Sequence, residues 1–316
     1  MILGQLAAMR IGEKLKWIRW RVAQSRHERA AAGILHTPPI AVRDDGLILF
    51  SMIGTAVLNS YLVAVKSLHN QIDMGKVMLL SDGTLTVQDR QTLAYHCGDP
   101  IIIELADIDT SPCPRGNCWE RLIAILQDRG ANYVIQLDSD IVVTGPVPEV
   151  TDAIIANRSF TLGGDAAAVE NGFMYAGELA RKVYPDGAPT DHVQHRSESA
   201  FDALPGTRTR QYIRGCAGFA GFSRGTTGLE MLEEFSQEIE AKIGAKWHEW
   251  GSEQIASNFV IANDRGPMVL PYDRYVNHWD SALPASATLI HFIGTHRYDR
   301  GNYLRATRDV IARLGG

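Results

Sequence analysis

Between residues 47 and 137 the chain alternates short apolar runs with stretches of helical periodicity, and this alternation limits the folds open to it more than any other feature. Leu47-Ile48-Leu49-Phe50-Ser51-Met52-Ile53 ends at Gly54 and has the composition of a strand buried on both faces. Leu58, Tyr61, Leu62, Val65 and Leu68 follow at helical spacing. Val77-Met78-Leu79-Leu80, closed by Ser81-Asp82-Gly83, predicts a second strand, and Val87 to His96 a helix. Ile101 to Leu105 predicts a third strand, and Trp119, Leu122, Ile123 and Leu126 a helix stopped by Gly130. Tyr133-Val134-Ile135-Gln136-Leu137 predicts a fourth strand that runs directly into Asp138. Strands separated by helices imply an α/β fold with a mainly parallel sheet and right-handed crossovers. In such a sheet ligands bind beyond the carboxyl ends of the strands, where Asp138 and Asp140 stand.

The 316 residues are enough for a sizeable core. A net charge of −5 gives no overall reason to expect a nucleic-acid partner. The cysteines (Cys97, Cys113, Cys118 and Cys216) are too few and too scattered for a disulfide framework, which fits a reduced, cytoplasmic setting. Cys113 and Cys118 read as loop thiols, since no further metal ligands stand near them. No apolar run approaches the roughly 20 residues that span a bilayer, and the start does not read as a secretory signal.

Charge is nevertheless uneven. Residues 1–30 hold seven Lys/Arg against Glu13 and Glu28, a local +5, so the rest of the chain carries −10. Leu3, Ala7, Ile11, Leu15, Ile18 and Val22 form one apolar stripe at helical steps, with Trp17 and Trp20 off the stripe among the basic residues. Two readings stand: a helix packed on its own protein or a partner, and an in-plane helix on an anionic membrane at the inner face of the cell membrane. The first takes precedence, because a narrow stripe does not say what it faces. Thr37-Pro38-Pro39 reads as a linker, which divides the chain into a basic helix and linker over 1–40 and a domain over 41–316.

Two carboxylates separated by one residue at a strand end can both address one divalent ion. Hard cations such as Mn²⁺ or Mg²⁺ take oxygen ligands and share them with phosphates, and so neutralise a diphosphate leaving group. An Asp-x-Asp alone is common in turns and helix caps; the uncharged strand before this one gives it weight. The string Asp138-Ser139-Asp140-Ile141-Val142 also resembles the nucleophile motif of haloacid-dehalogenase-type phosphatases, with Asp138 attacking phosphorus. That family carries the motif on its first strand, whereas three strand–helix units come first here, and Lys182, Lys242 and Lys246 sit in no setting that matches it.

Over roughly residues 46–303 a set of segments runs in order: Trp119 with Arg121-Leu122, Tyr133 to Val150, Gly163-Gly164-Asp165, Cys216-Ala217-Gly218, Glu253-Gln254 with Asn258, and His291-Phe292-Ile293-Gly294-Thr295-His296-Arg297. This ordered set resembles glycosyltransferase family 8, the retaining GT-A family that includes glycogenin and bacterial lipopolysaccharide galactosyltransferases, with Cys216-Ala217-Gly218 resembling its Asn-Ala-Gly turn. The resemblance implies a GT-A-like, Rossmann-like sheet flanked by helices. It implies that Asp138, Asp140 and His291 hold the metal, and that Arg121 and Arg297 bind the donor, Arg297 at the diphosphate. Asp165, Glu253 and Gln254 would line the sugar, with Gln254 facing the anomeric carbon; Cys216, Gly218 and Gly294 would shape the donor site. The implied reaction moves a sugar from a nucleotide-diphosphate donor, with UDP expected, to a glycan or lipid-linked acceptor in bacterial cell-surface synthesis. The departures are specific. No acidic residue follows the first strand to read a uracil, Cys216 replaces an Asn, Arg297 replaces a Lys, and Tyr298-Asp299 stands where the family has Pro-Trp. A phosphatase, or a nucleotide-sugar-binding protein without turnover, is the alternative.

His291 ends the apolar run Thr288-Leu289-Ile290 and also fits a strand-end histidine bonded to backbone. Ser252 reads as the N-cap of a helix carrying Glu253. The polar stretch from Pro185 to Pro205, with His192, His195 and Arg196, reads as a flap over the acceptor or a long loop. Trp247, Trp250 and Trp279 read as sugar-stacking or core residues.

Overall fold

The apolar runs of the first half become the parallel half of a sheet. The structure, a computed structural model, describes residues 11–315. In chain order the strands are β1 (Leu47–Ile53), β2 (Lys76–Ser81), β3 (Ile101–Glu104), β4 (Tyr133–Leu137), β5 (Ile141–Val143), β6 (Phe160–Gly163), β7 (Met174–Tyr175), β8 (Gln211–Tyr212), β9 (Gly215–Phe222), β10 (Met268–Val269), β11 (Tyr275–Asn277) and β12 (Leu289–His291). The helices are α1 (Ile11–Ala31), α2 (Leu58–Ile72), α3 (Val87–Cys97), α4 (Trp119–Asp128), α5 (Pro148–Ile155), α6 (Ala166–Asn171), α7 (Ala176–Val183), α8 (Val193–Ala200), α9 (Leu229–Ile243), α10 (Ser252–Ala262) and α11 (Asn302–Gly315). The expected third strand ends one residue early, because Leu105–Asp107 turns into a 3₁₀ helix.

The main sheet has the order β10-β6-β9-β4-β1-β2-β3. All of its strands but β9 run the same way; β9 is antiparallel to both β4 and β6. Successive side chains of β1 bury on opposite faces, as a period of two requires. Leu47 and Leu49 join a core with Leu62, Val65 and Leu68 of α2. Ile48 and Phe50 join a second core with Trp119, Leu122 and Ile125 of α4 and Phe259 of α10. A mainly parallel sheet covered by helices on both faces is the result. A smaller sheet, β11-β12-β5, stands beside it, with β12 antiparallel to β5 and His291 opposite Ile141. This pairing brings the end of the chain back to the Asp-Ser-Asp segment.

Several expectations change. Cys216-Ala217-Gly218 lies inside strand β9 and not in a turn; its glycines allow close approach by neighbours. The 185–205 stretch contains α8, which buries Val193 and Ser197 and packs near α7 and α9. Gly251, with φ of 101°, occupies the N-cap of α10, and Ser252 is the first helical residue, whose Oγ accepts from Trp119 Nε1 at 2.9 Å. Trp247 is core, edge-on to Trp119, whereas Trp250 and Trp279 are exposed. All four cysteines are free.

Helix α1 packs on its own protein, but by the face opposite the apolar stripe. His27 stacks on Tyr303 with ring centroids 3.6 Å apart, Trp20 meets Tyr298 edge-on at 5.1 Å, and Ala31 is fully buried. The flat rings of α1 match a ring-lined wall, which the aliphatic stripe would not. Residues 3 and 7 of that stripe, and Arg10, lie outside the described residues. After a 3₁₀ turn over Ala32–His36, the Thr37-Pro38 segment is tied down by Lys66 of α2. Its Nζ donates to Thr37 Oγ1 at 2.8 Å, Pro38 O at 2.7 Å and His96 Nδ1 at 2.9 Å. Burial pushes the Lys66 amine down to about 8. Among the described residues no helix is long and apolar enough to cross a membrane.

Candidate active site

Strand β4 is uncharged and fully buried, so the chain meets water only where it leaves the sheet, at Asp138. The turn there is held by backbone on two sides. Asp138 N–H donates to Gly218 O of β9 at 2.9 Å, and Phe292 N–H, just past β12, donates to Asp140 O at 2.9 Å. These bonds bring Asp138, Asp140 and His291 together, with one ligand atom from each lying within 4.8 Å of the others. His291 Nε2 is 3.2 Å from Asp140 Oδ1 and 4.0 Å from Asp138 Oδ2.

The other oxygen of each carboxylate belongs to an arginine. Arg121 Nη1 donates to Asp138 Oδ1 at 2.5 Å, and its Nη2 reaches both oxygens of Glu253 at 3.3 and 3.2 Å. Arg297 donates to Asp140 Oδ2 through Nη2, and its Nε is tied to Phe292 O at 3.0 Å. Each aspartate is therefore oriented by a guanidinium on one side and turns its remaining oxygen to the imidazole.

His291 is fixed from behind. Its Nδ1 lies 3.0 Å from Asn277 Oδ1 and 3.3 Å from Cys216 Sγ. Asn277 Nδ2 donates to Gly163 O and Gly164 O, both at 2.9 Å, and this assigns the amide so that its oxygen faces the ring. Nδ1 then carries the proton and Nε2 points to the carboxylates, the arrangement of a metal-ligating histidine with an oriented ring. Gly218 closes the ring's other side: a Cβ there would lie 2.3 Å from His291 Cε1.

Electrostatics divides the two aspartates. Burial lifts Asp138 above the usual carboxylate range against the pull of Arg121, and the Asp140 charge adds to the rise. Burial acts on Asp140 too, but His291 and Arg297 outweigh it and hold Asp140 low. Burial pushes Glu253 up to about 7, with Arg121 opposing and Asp138 assisting. Burial alone would lower His291; the facing Cys216 and Asp140 raise it instead. Two convergent carboxylate oxygens and one imidazole nitrogen suit a hard-to-borderline divalent cation such as Mn²⁺ or Mg²⁺.

The remaining candidates fall at different distances from this cluster. Gln254 is partly exposed, and its Oε1 accepts from Ala217 N of β9 at 3.2 Å. Asp165 is exposed and caps α6, accepting from Ala168 N at 2.7 Å; among the described residues no hydrogen bond or ion pair joins it to the aspartates. Gly294 has φ of 51° and turns the chain between His291 and Arg297. Asn258 ties α10 to β6 through Thr161 Oγ1 at 2.8 Å. His192 caps α8, and His195 and Arg196 lie on that helix. Asn277 went unnoticed in the sequence, where a three-residue strand leaves almost no pattern.

No family model matches the sequence, and no curated protein is significantly similar to it. Solved structures do resemble it. An active-site mutant of LgtC superimposes with a TM-score of 0.50 at 11% identity, over 84% of this chain and 95% of that one. The fold is GT-A. Two further similar structures are the apo WbbM bifunctional glycosyltransferase (TM-score 0.48, 14% identity, 85% of this chain) and mouse xyloside xylosyltransferase 1 (TM-score 0.47, 12% identity, 78% of this chain and 96% of that one). The chain spans 50% of the length of WbbM. On this GT-A frame the Asp138–Asp140–His291 cluster sits where β4 leaves the sheet between β1 and the reversed strand β9.

Proposed function

We propose that the protein is a metal-dependent glycosyltransferase that moves a sugar from a nucleotide-diphosphate donor to an acceptor hydroxyl. The observation that carries this reading is the convergence of Asp138 Oδ2, Asp140 Oδ1 and His291 Nε2 at the carboxyl end of β4 in a GT-A fold. When bound, a divalent cation supplies Lewis-acid neutralisation of the departing diphosphate.

The chain's own residues do the rest. Asp138, Asp140 and His291 hold the cation, and Arg121 fixes Asp138 from inside the protein. Arg297, about one-third exposed at its side chain and bonded to Asp140, Phe292 O and Tyr298, offers its exposed edge to a donor phosphate. Gln254 carries its amide nitrogen at the rim beside β9 and faces the sugar; Glu253, buried behind it on Arg121, orients that wall. Charge stabilisation and positioning supply the acceleration. The finer reading follows the family 8 resemblance: a UDP-sugar donor, retention at the anomeric carbon, and a glycan or lipid-linked acceptor in bacterial cell-surface synthesis.

A thermal-shift screen of nucleotide sugars with and without Mn²⁺ tests the proposal. A donor at 100 times its Kd stabilises by about 2.7 kcal/mol, and the gain should require metal. The purified protein should then slowly hydrolyse the same donor, and Asp140→Ala should abolish both effects. Phosphate release from a phosphomonoester, with trapping of Asp138 by a phosphate mimic, would replace this reading with the phosphatase one. Metal-dependent donor binding without hydrolysis or transfer would reduce the protein to a binding module.

A further inference from the structure

The face of α1 left open among the described residues is both apolar and cationic. At 100° per residue, Leu15, Ile18, Arg19, Val22, Arg26 and Arg29 all fall within about 60° of the line through Leu15. Leu15, Ile18 and Val22 are 51, 48 and 45% exposed, too open for side chains that serve the protein's own core. Glu13 and Glu28, the acidic residues of α1, fall on the opposite half of the helix by the same count.

The line of aliphatic residues leads into a groove of about 510 Å³ between α1 and α11. Arg26, Arg29 and Arg308 rim it, and Ala30, Ile311 and Ala312 form its apolar wall. Among the described residues, the side chains of Arg26, Arg29 and Arg308 make no hydrogen bond or ion pair, although arginines elsewhere in this structure commonly do. Three guanidinium groups around an apolar-walled groove, continuous with an exposed aliphatic row, match a phosphate headgroup with its acyl chains alongside.

We infer that this face of α1, with Arg308, is a docking surface for an anionic phospholipid membrane. A second copy of the chain is a poorer occupant, because pairing two such faces would bring arginine against arginine. The surface is separate from the Asp138 cluster, so the inference stands independently of the sugar-transfer reading.

The test is co-sedimentation of the full chain with vesicles of phosphatidylcholine alone and of phosphatidylcholine with 30% phosphatidylglycerol. Binding should appear on the anionic vesicles and fall as salt is raised. Arg26→Glu/Arg29→Glu/Arg308→Glu should weaken it at least tenfold, and so should Leu15→Ser/Ile18→Ser/Val22→Ser. All these positions are at the surface, and unchanged thermal unfolding of each variant establishes that the fold is intact. Equal binding to neutral and anionic vesicles, or variants that bind as the parent does, would overturn the inference. So would a concentration-dependent dimer that these substitutions split, in a protein that ignores vesicles.

Discussion

Asn277 presents its side-chain oxygen to Nδ1 of His291 at 3.0 Å because both hydrogens of its amide are committed to the carbonyls of Gly163 and Gly164. One short strand thereby decides which imidazole nitrogen faces the aspartates. Asn277→Ala should weaken Mn²⁺ binding about 10- to 100-fold, the usual cost of losing an outer partner of a metal ligand. Isothermal titration with Mn²⁺ checks this, with circular dichroism as the control for fold. Binding within twofold of the parent would mean that the ring is oriented by Cys216 and Gly218 alone.

Arg121 serves two carboxylates from a position that is itself buried, with its side chain 7% exposed and that of Glu253 4% exposed. Arg121→Met leaves Asp138 and Glu253 without their shared cation and should cost about 3–5 kcal/mol in urea unfolding. Part of that cost is the burial of an unpaired Glu253. Arg121→Met/Glu253→Gln should therefore be at least about 1 kcal/mol more stable than Arg121→Met alone. Strict additivity would show that Arg121 supports Asp138 and not Glu253.

The parallel half of the sheet and the carboxylate pair were legible because an uncharged run leaves a period of its own, and β4 ends abruptly at Asp138. The outward face of α1 was not legible: spacing identifies a stripe but not its neighbour, and the aromatic wall of Tyr298 and Tyr303 comes from the other end of the chain. Asn277 escaped for a related reason, since its role depends on the register of β11 with β12, 14 residues onward. The Cys216–Gly218 segment read as a turn only through the family resemblance, because three residues carry no period of their own. In β9 the glycines instead leave room for the His291 and Phe160 rings.

Gly218 gives that last point a direct test. A methyl group there would sit 2.3 Å from His291 Cε1 and 2.7 Å from Nε2, so the imidazole has to leave its place. The backbone at Gly218 is ordinary strand, so Gly218→Ala should fold. It should nonetheless weaken Mn²⁺ binding by at least about tenfold, as removing a ligand's orientation does. A variant that binds Mn²⁺ normally would show that His291 can serve from a second rotamer, or is not a ligand.

His27 links the basic helix to acid stability. It is buried against Tyr303, its Nε2 lies 3.1 Å from Thr307 Oγ1, and its Nδ1 has no hydrogen-bond partner among the described residues. Burial first, and the Arg297 charge second, push the imidazole down to about 4 from 6.5. A lowered histidine favours the neutral form in the folded protein. Its contribution is therefore fully present above pH 6.5 and is lost as the pH falls towards 4. At pH 5 the loss should be about 2 kcal/mol relative to pH 7.5. His96, pushed down to about 4 by burial and by Lys66, adds a loss of the same sign, so the parent's slope alone does not isolate His27. The difference between the parent and His27→Phe does. Urea midpoints of the two should converge between pH 6.5 and 5, with the parent losing stability faster, and parallel curves over that range would mean that His27 titrates normally in the fold.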